Sequence, residues 1–172
     1  MYEDIIKTLI EVLYEVYKEN RTIYAIGNGG SLGDASHFAC DAISLGRGYE
    51  ILPIRVIPLS DPTILSALAN DYGFESVYER WLKAWAIKGD VVIVFTTSGE
   101  SENIVRALEW AQKNGLITIG ILGRNGGRAQ QYCDYCIKAE GTTTQEIQDE
   151  HRKIYHQILT MLHERVRSQS KL

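Results

Sequence analysis

Val91-Val92-Ile93-Val94-Phe95 is apolar without a break. A run of that kind has no face to offer to water, so it fits a central strand of a parallel sheet covered on both sides. It stops at a polar loop, Thr96-Thr97-Ser98-Gly99-Glu100-Ser101, which leads into a helical pattern over residues 102–113 closed by Asn114-Gly115 in the usual C-cap manner. The same order occurs earlier in the chain. Residues 22–26 are a β-type run, Gly27-Asn28-Gly29-Gly30-Ser31 ends it, and residues 32–44 read as helix.

The rest of the chain repeats this alternation. Residues 3–18 place Ile5, Ile6, Leu9, Ile10, Leu13, Val16 and Tyr17 three and four apart, the mark of an amphipathic helix. Pro53 and Pro58 bracket a short strand, Ile54-Arg55-Val56-Ile57, and Pro62 suits the first turn of a helix, where its missing N–H costs nothing. Asn70-Asp71-Tyr72-Gly73 reads as a turn, with a helix resuming over 74–86. Residues 116–122 predict a buried strand, Gly126-Gly127 a turn and residues 135–139 a last strand. From Thr144 onward, Ile147, Ile154, Ile158, Leu162 and Val166 predict a long amphipathic helix. The pattern predicts one α/β domain over residues 1–172: a three-layer, doubly wound, parallel five-stranded sheet with N- and C-terminal helices. Ligands of such sheets bind beyond the carboxyl ends of the strands, at loops 27–31 and 96–101.

Composition narrows the classes. At 172 residues a domain buries about 70% of its unfolded surface and needs no staple. The net charge of −4 argues against a nucleic-acid binder that relies on bulk positive charge. There is no run of apolar residues approaching a membrane span, and the acidic start Met1-Tyr2-Glu3-Asp4 is unlike a signal peptide, so a cytoplasmic protein is expected. Cys40, Cys133 and Cys136 are too few for a disulfide scaffold, and Cys133-Asp134-Tyr135-Cys136 lacks the second pair of a zinc site, so these cysteines are read as structural.

The two loops differ in what they can hold. Gly27-x-Gly29 has Leu32 where a dinucleotide fingerprint needs its third glycine, and no G-x4-G-K-[ST] occurs, so no nucleotide cofactor is expected. The glycines let backbone approach a ligand closely, while the Asn28 amide and Ser31 hydroxyl suit sugar hydroxyls; a plain strand-to-helix turn capped by Ser31 is the alternative. In the second loop Thr96, Thr97, Ser98 and Ser101 set four hydroxyls ahead of the positive end of a helix, which suits a phosphate monoester, although Glu100 sits inside the loop. Ordinary N-capping by Ser98 or Ser101 is the alternative there. His37 and Asp41 share a helix face four residues apart, a spacing open to a divalent metal. Gln148, Asp149, His151 and His156 lie on the last helix, where Gln148, Arg152 and His156 follow successive fours.

With these segments in view, the chain resembles the sugar isomerase (SIS) domain family and, within it, the phosphoheptose isomerases. The matching segments are GNGGS at 27–31, SHF at 36–38 with Asp41, ANDYGF at 69–74, GDVVIVFTTSGESENI at 89–104, GGR at 126–128 and IQDEHRKIYH at 147–156. The resemblance implies an aldose–ketose isomerase that converts sedoheptulose 7-phosphate to a heptose 7-phosphate for surface polysaccharide. It implies a phosphate loop at Thr96, Thr97, Ser98 and Ser101, and sugar contacts at Asn28, Gly29, Gly30, Ser31, Asp41, Asn70, Asp71 and Gln148. Its acid/base pair falls on Asp41 and His156, and a zinc set, one ion per subunit, on His37, Asp41, Gln148 and His156. It further implies a homotetramer with sites built across subunit interfaces.

Three features depart from the commoner family form. Asp41 stands where Glu is usual, which withdraws the carboxylate by one bond, about 1.5 Å. Arg47 follows that carboxylate at six residues rather than four. Only 26 residues precede the glycine loop, so part of the N-terminal helical layer is expected to be missing. Two other functions compete: a regulatory SIS protein that binds a phosphosugar or a replication-initiator partner, and an isomerase of another phosphosugar.

Overall fold

The structure is a computed structural model that describes residues 2–44 and 53–169. Arg47 lies outside the described residues. Five strands, β1 (Ile23–Gly27), β2 (Val56–Pro58), β3 (Val91–Thr96), β4 (Ile117–Gly123) and β5 (Tyr135–Ala139), form one parallel sheet in the order β2-β1-β3-β4-β5. Every residue of β1 and β3 is buried, as their unbroken apolar sequences require. Alternate side chains divide between two cores. Ile23, Ala25, Val91, Ile93 and Phe95 face α1 (Glu3–Lys18), α2 (Gly30–Ser44) and α6 (Thr144–Gln169); Tyr24, Ile26, Val92 and Val94 face α4 (Val77–Trp85) and α5 (Glu102–Lys113). This is the expected three-layer, doubly wound sheet. At its lower end the buried Asp90 carboxylate accepts from Thr22 N and Ile87 N, each at 3.0 Å, tying the start of β1 to the start of β3.

Several boundaries differ from the sequence reading, and three of them for a plain local reason. Helix α2 begins at Gly30 because Gly29, at φ +55°, turns the chain tightly enough for Ser31 N to reach Asn28 O and Leu32 N to reach Gly29 O. Helix α3 (Pro62–Tyr72) runs straight through the predicted turn at 70–73. Gly73 N still bonds Ala69 O, and only the positive φ of Gly73 stops the helix before a 3-10 turn at Phe74–Ser76. Strand β2 is shifted toward Pro58, which an edge strand tolerates because, among the described residues, one side of it bonds to no neighbour.

His151, one of the polar residues noted on the last helix, is fully buried beside Phe95, with ring centroids 6.2 Å apart. Burial pushes its pKa down to about 4, against a smaller opposing pull from the Leu122 carbonyl. The native state therefore holds fewer protons at this site than the unfolded chain, whose imidazole titrates near 6.5. Stability from this residue is intact above pH 6.5 and is lost as pH falls toward about 4, by about 3 kcal/mol across the window. Replacing His151 by Leu should flatten that part of the stability–pH curve, whatever it does to stability at pH 8, as read by urea denaturation at a series of pH values.

Candidate active site

The chain leaves β1 toward β2 on one side and returns to β3 on the other, so the sheet's topological switch point lies between β1 and β3. The last residue pair of their ladder is Gly27 with Phe95, and the two candidate loops leave the sheet side by side from there. They are tied across the gap by a reciprocal amide pair, Asn28 Nδ2 to Asn103 Oδ1 and Asn103 Nδ2 to Asn28 Oδ1, both 2.9 Å. Asn28 thus keeps only one N–H and one lone pair for a ligand. On the other side, the buried Tyr78 hydroxyl donates to Gly27 O, and a Cβ on Gly27 would stand 2.4 Å from Ser31 O, so only glycine fits. Ser31 is buried at 4% exposure.

In the second loop the hydroxyls are not equivalent. Thr96 Oγ1 accepts from Gly99 N at 3.1 Å and Ser98 Oγ from Glu100 N at 3.2 Å, so these two shape the turn. Ser101 is the N-cap of α5 yet makes no side-chain capping bond, and its hydroxyl, like the half-buried Thr97, is left for another partner. The turn at Gly126-Gly127 packs so closely on this loop that a Cβ on Gly99 would lie 2.0 Å from Gly126 O. That turn also disposes of the nearby carboxylates. Glu100 Oε1 accepts from Arg128 N at 3.1 Å, while Glu102 bonds Arg128 and Arg106 and is held below the usual carboxylate range by them, Arg128 first. The positive end of α5 is therefore not cancelled by unpaired acid groups.

Helices α2 and α6 bring the titratable groups together. Asp41 Oδ2 lies 3.2 Å from His156 Nε2 and 3.4 Å from His37 Nε2, and the two imidazoles stand with centroids 5.4 Å apart. Tyr155, buried, packs edge-on against both rings at 4.7 and 5.7 Å and fixes their planes. One ligand atom from each of His37, Asp41 and His156 falls within 4.8 Å of the others. Two imidazoles and a carboxylate are a donor set that suits zinc, with three protein ligands and an open position. Gln148 meets α2 at another level: its amide rests on Gly30, where a Cβ would stand 2.5 Å from Nε2.

Asn70 and Asp71 are exposed on the last turn of α3 and bond each other at 2.8 Å rather than any other site residue. Cys133 is partly buried, its thiol pushed up to about 12 by desolvation, and donates to Ala129 O, as a structural cysteine would. Two site-building residues escaped the sequence reading. Asn103 is a polar residue inside the apolar stripe of α5, next to Ile104 and Val105, and that break in pattern was its only signal. Tyr78 reads as one more core aromatic until its hydroxyl is placed.

Comparison with known proteins agrees with this architecture. A family model for the SIS domain matches residues 2–123. Phosphoheptose isomerase 2 of Campylobacter jejuni is 43% identical over 157 residues, covering 90% of this chain and 77% of its own. The phosphoheptose isomerase of Nitratiruptor is 42% identical over 154 residues, covering 89% of this chain and 82% of its own. Among solved structures, a phosphoheptose isomerase from Neisseria gonorrhoeae superposes with a TM-score of 0.88 at 27% identity, over 95% of this chain and 88% of that one. The chain belongs to the SIS-domain family and, within it, to the phosphoheptose isomerases, a group of phosphosugar isomerases.

The asparagine pair and the uncommitted Ser101 make opposite predictions. Asn103→Ala strands the Asn28 amide and should cost about 1–3 kcal/mol in urea unfolding, whereas Ser101→Ala, which removes no bond, should stay within about 0.5 kcal/mol of the parent.

Proposed function

We propose that this phosphosugar isomerase interconverts sedoheptulose 7-phosphate and glycero-manno-heptose 7-phosphate through an enediol. The observation that carries the reading is the convergence of Asp41 and His156, from two different helices, within 3.2 Å. Moving a carbonyl from C2 to C1 needs one group to take the C1 proton and return it at C2, and another to exchange protons between O1 and O2. The Asp41 carboxylate suits the first task and the His156 imidazole the second. The shorter Asp side chain is met by an imidazole already at contact distance.

The phosphate is held by Thr97 and Ser101 with the amino end of α5, while Thr96 and Ser98 set the shape of the loop. This remote anchor fixes C1 and C2 against the acid/base pair and so supplies orientation rather than chemistry. Asn28, Gly29, Gly30, Ser31 and Gln148 line the path between the two ends and suit the sugar hydroxyls. His37, Asp41 and His156 would hold a zinc ion, which supplies Lewis-acid polarisation of the substrate oxygens when bound; Gln148, whose amide rests on Gly30, stands apart from these three. Asn70 and Asp71 serve a neighbouring copy in a homotetramer. In support, α3 buries none of its residues, and Tyr72 and Phe74 beside the pair stay 52% and 55% exposed. No helix among the described residues is long and apolar enough to cross a membrane, in keeping with a cytoplasmic enzyme. A purely regulatory SIS protein has no chemical need for the Asp41–His156 pair.

The test is turnover of a panel of ketose phosphates followed by NMR, with and without zinc. Sedoheptulose 7-phosphate should be converted in preference to pentose and hexose phosphates, and turnover of another ketose alone would reassign the substrate. His156→Ala should abolish conversion with the melting temperature little changed. Thr97→Ala with Ser101→Ala should raise KM about tenfold or more while kcat falls less; an unchanged KM would remove the loop from substrate binding.

A further inference from the structure

Helices α2 and α6 meet as a ladder whose rungs climb both helices in the same direction. Gly30 faces Gln148, Asp34 faces Arg152, and Asp41 faces His156. The outer rungs belong to the site just described, and the middle one has been given no task. Its geometry is unusual for a structural ion pair. The Asp34 side chain is only 4% exposed, its Oδ2 has no hydrogen-bond partner, and the nearest guanidinium nitrogen, Arg152 Nη2, stands 3.8 Å from Oδ1. The Arg152 side chain is 55% exposed and lies beside the buried Tyr155 hydroxyl, where it opposes the rise that burial causes in that hydroxyl's pKa. A guanidinium has five N–H donors in a rigid fork, and at that distance it spends none of them on a hydrogen bond to Asp34.

A buried carboxylate with an unpartnered oxygen costs stability unless the charge it opposes is worth keeping in place. The charge it faces here is a cation on α6 midway between the Gln148 and His156 rungs. The phosphate loop contains no Lys or Arg, and Arg106 and Arg128 beside it are engaged by Glu102. We propose that Arg152 contacts substrate, its guanidinium donating to the oxygens at the reacting end of the phosphosugar, and that Asp34 is the positioning residue that holds it there. The inference rests on the isomerase reading above. Negative charge grows on O1 and O2 as the C1 proton leaves, and a guanidinium beside those oxygens stabilises that charge more than it stabilises the neutral sugar. Arg152 therefore acts on kcat more than on the phosphate anchor. The raised pKa of Asp34, caused first by burial and opposed by Arg152, accords with a carboxylate whose ionised form depends on its cation.

The experiment compares Arg152→Gln, Arg152→Ala, Asp34→Asn and the double variant Asp34→Asn with Arg152→Gln, with Lys153→Gln as control for loss of a neighbouring surface charge. Turnover of sedoheptulose 7-phosphate, affinity for inorganic phosphate and melting temperature are read on each. Arg152→Gln should lower kcat/KM about 10²-fold, mostly through kcat, with phosphate affinity and melting temperature unchanged. Low millimolar guanidinium chloride should restore part of the Arg152→Ala rate where sodium chloride does not. Asp34→Asn should lose part of the rate, and the double variant should be no slower than Arg152→Gln. If Asp34→Asn fails to fold, the guanidinium rescue still decides the matter for Arg152. Wild-type kcat in Arg152→Gln, or a loss confined to phosphate affinity, overturns the assignment while leaving the isomerase reading in place. A parent protein that converts no ketose phosphate overturns both.

Discussion

The site depends on one long-range pairing: β1 lies against β3, Ile23 beside Val91 through Gly27 beside Phe95, although β2 and the three helices α2, α3 and α4 intervene in the chain. Each strand is buried along its whole length, so its position and direction are set by packing on both faces, and only its carboxyl end reaches a polar surface. Two short loops of small residues must then emerge together, and the Asn28–Asn103 amide pair fixes the gap between them. Had β2 been inserted between β1 and β3, the glycine loop and the hydroxyl loop would be separated by a further strand width, about 4.8 Å, and a single phosphosugar could not be held at both.

A second constraint sets the chemistry. Glycine at position 30 lets α6 approach α2 closely enough for Gln148 to lie on the backbone, and from that contact point the helices run on side by side. Asp41, about three turns along α2, and His156, about two turns along α6, meet as a consequence. Phe38, Phe95 and Tyr155 fill the space beneath them, so the half-exposed acid/base groups stand on a rigid aromatic floor. Preorganisation of this kind places reacting groups without an ordering cost at the moment of reaction.

Much of this was legible in the residues. The unbroken apolar run at 91–95, the mostly apolar run at 116–122 and the helical stripes of residues 3–18 and 144–166 gave the layers and the sheet, because burial on both faces leaves a pattern that needs no tertiary information. The candidate acid/base residues were visible as helical spacings on two separate helices. That Asp41 and His156 face each other was not visible from spacing, since periodicity says which face a residue shares within a helix but not which helix it meets. Asn103 and Asp34 were hidden for a related reason. Each is a polar residue in a buried stripe, and its partner, Asn28 or Arg152, is distant in sequence. Helix boundaries failed at glycines, where φ at Gly29 and Gly73 decides whether the chain turns or continues. Composition alone did not foresee the fate of Glu100, whose carboxylate accepts from the backbone N–H of Arg128.

The account as a whole stands on proton transfer at the carbon next to the carbonyl, carried out where α2 and α6 converge. Solvent-isotope labelling observes that step without assuming which product accumulates. Incubated in deuterium oxide with sedoheptulose 7-phosphate and followed by proton NMR, the protein should place deuterium at C1 of recovered ketose and C2 of the aldose formed. Ketose recovered without label, with no aldose after long incubation at high enzyme concentration, would contradict it.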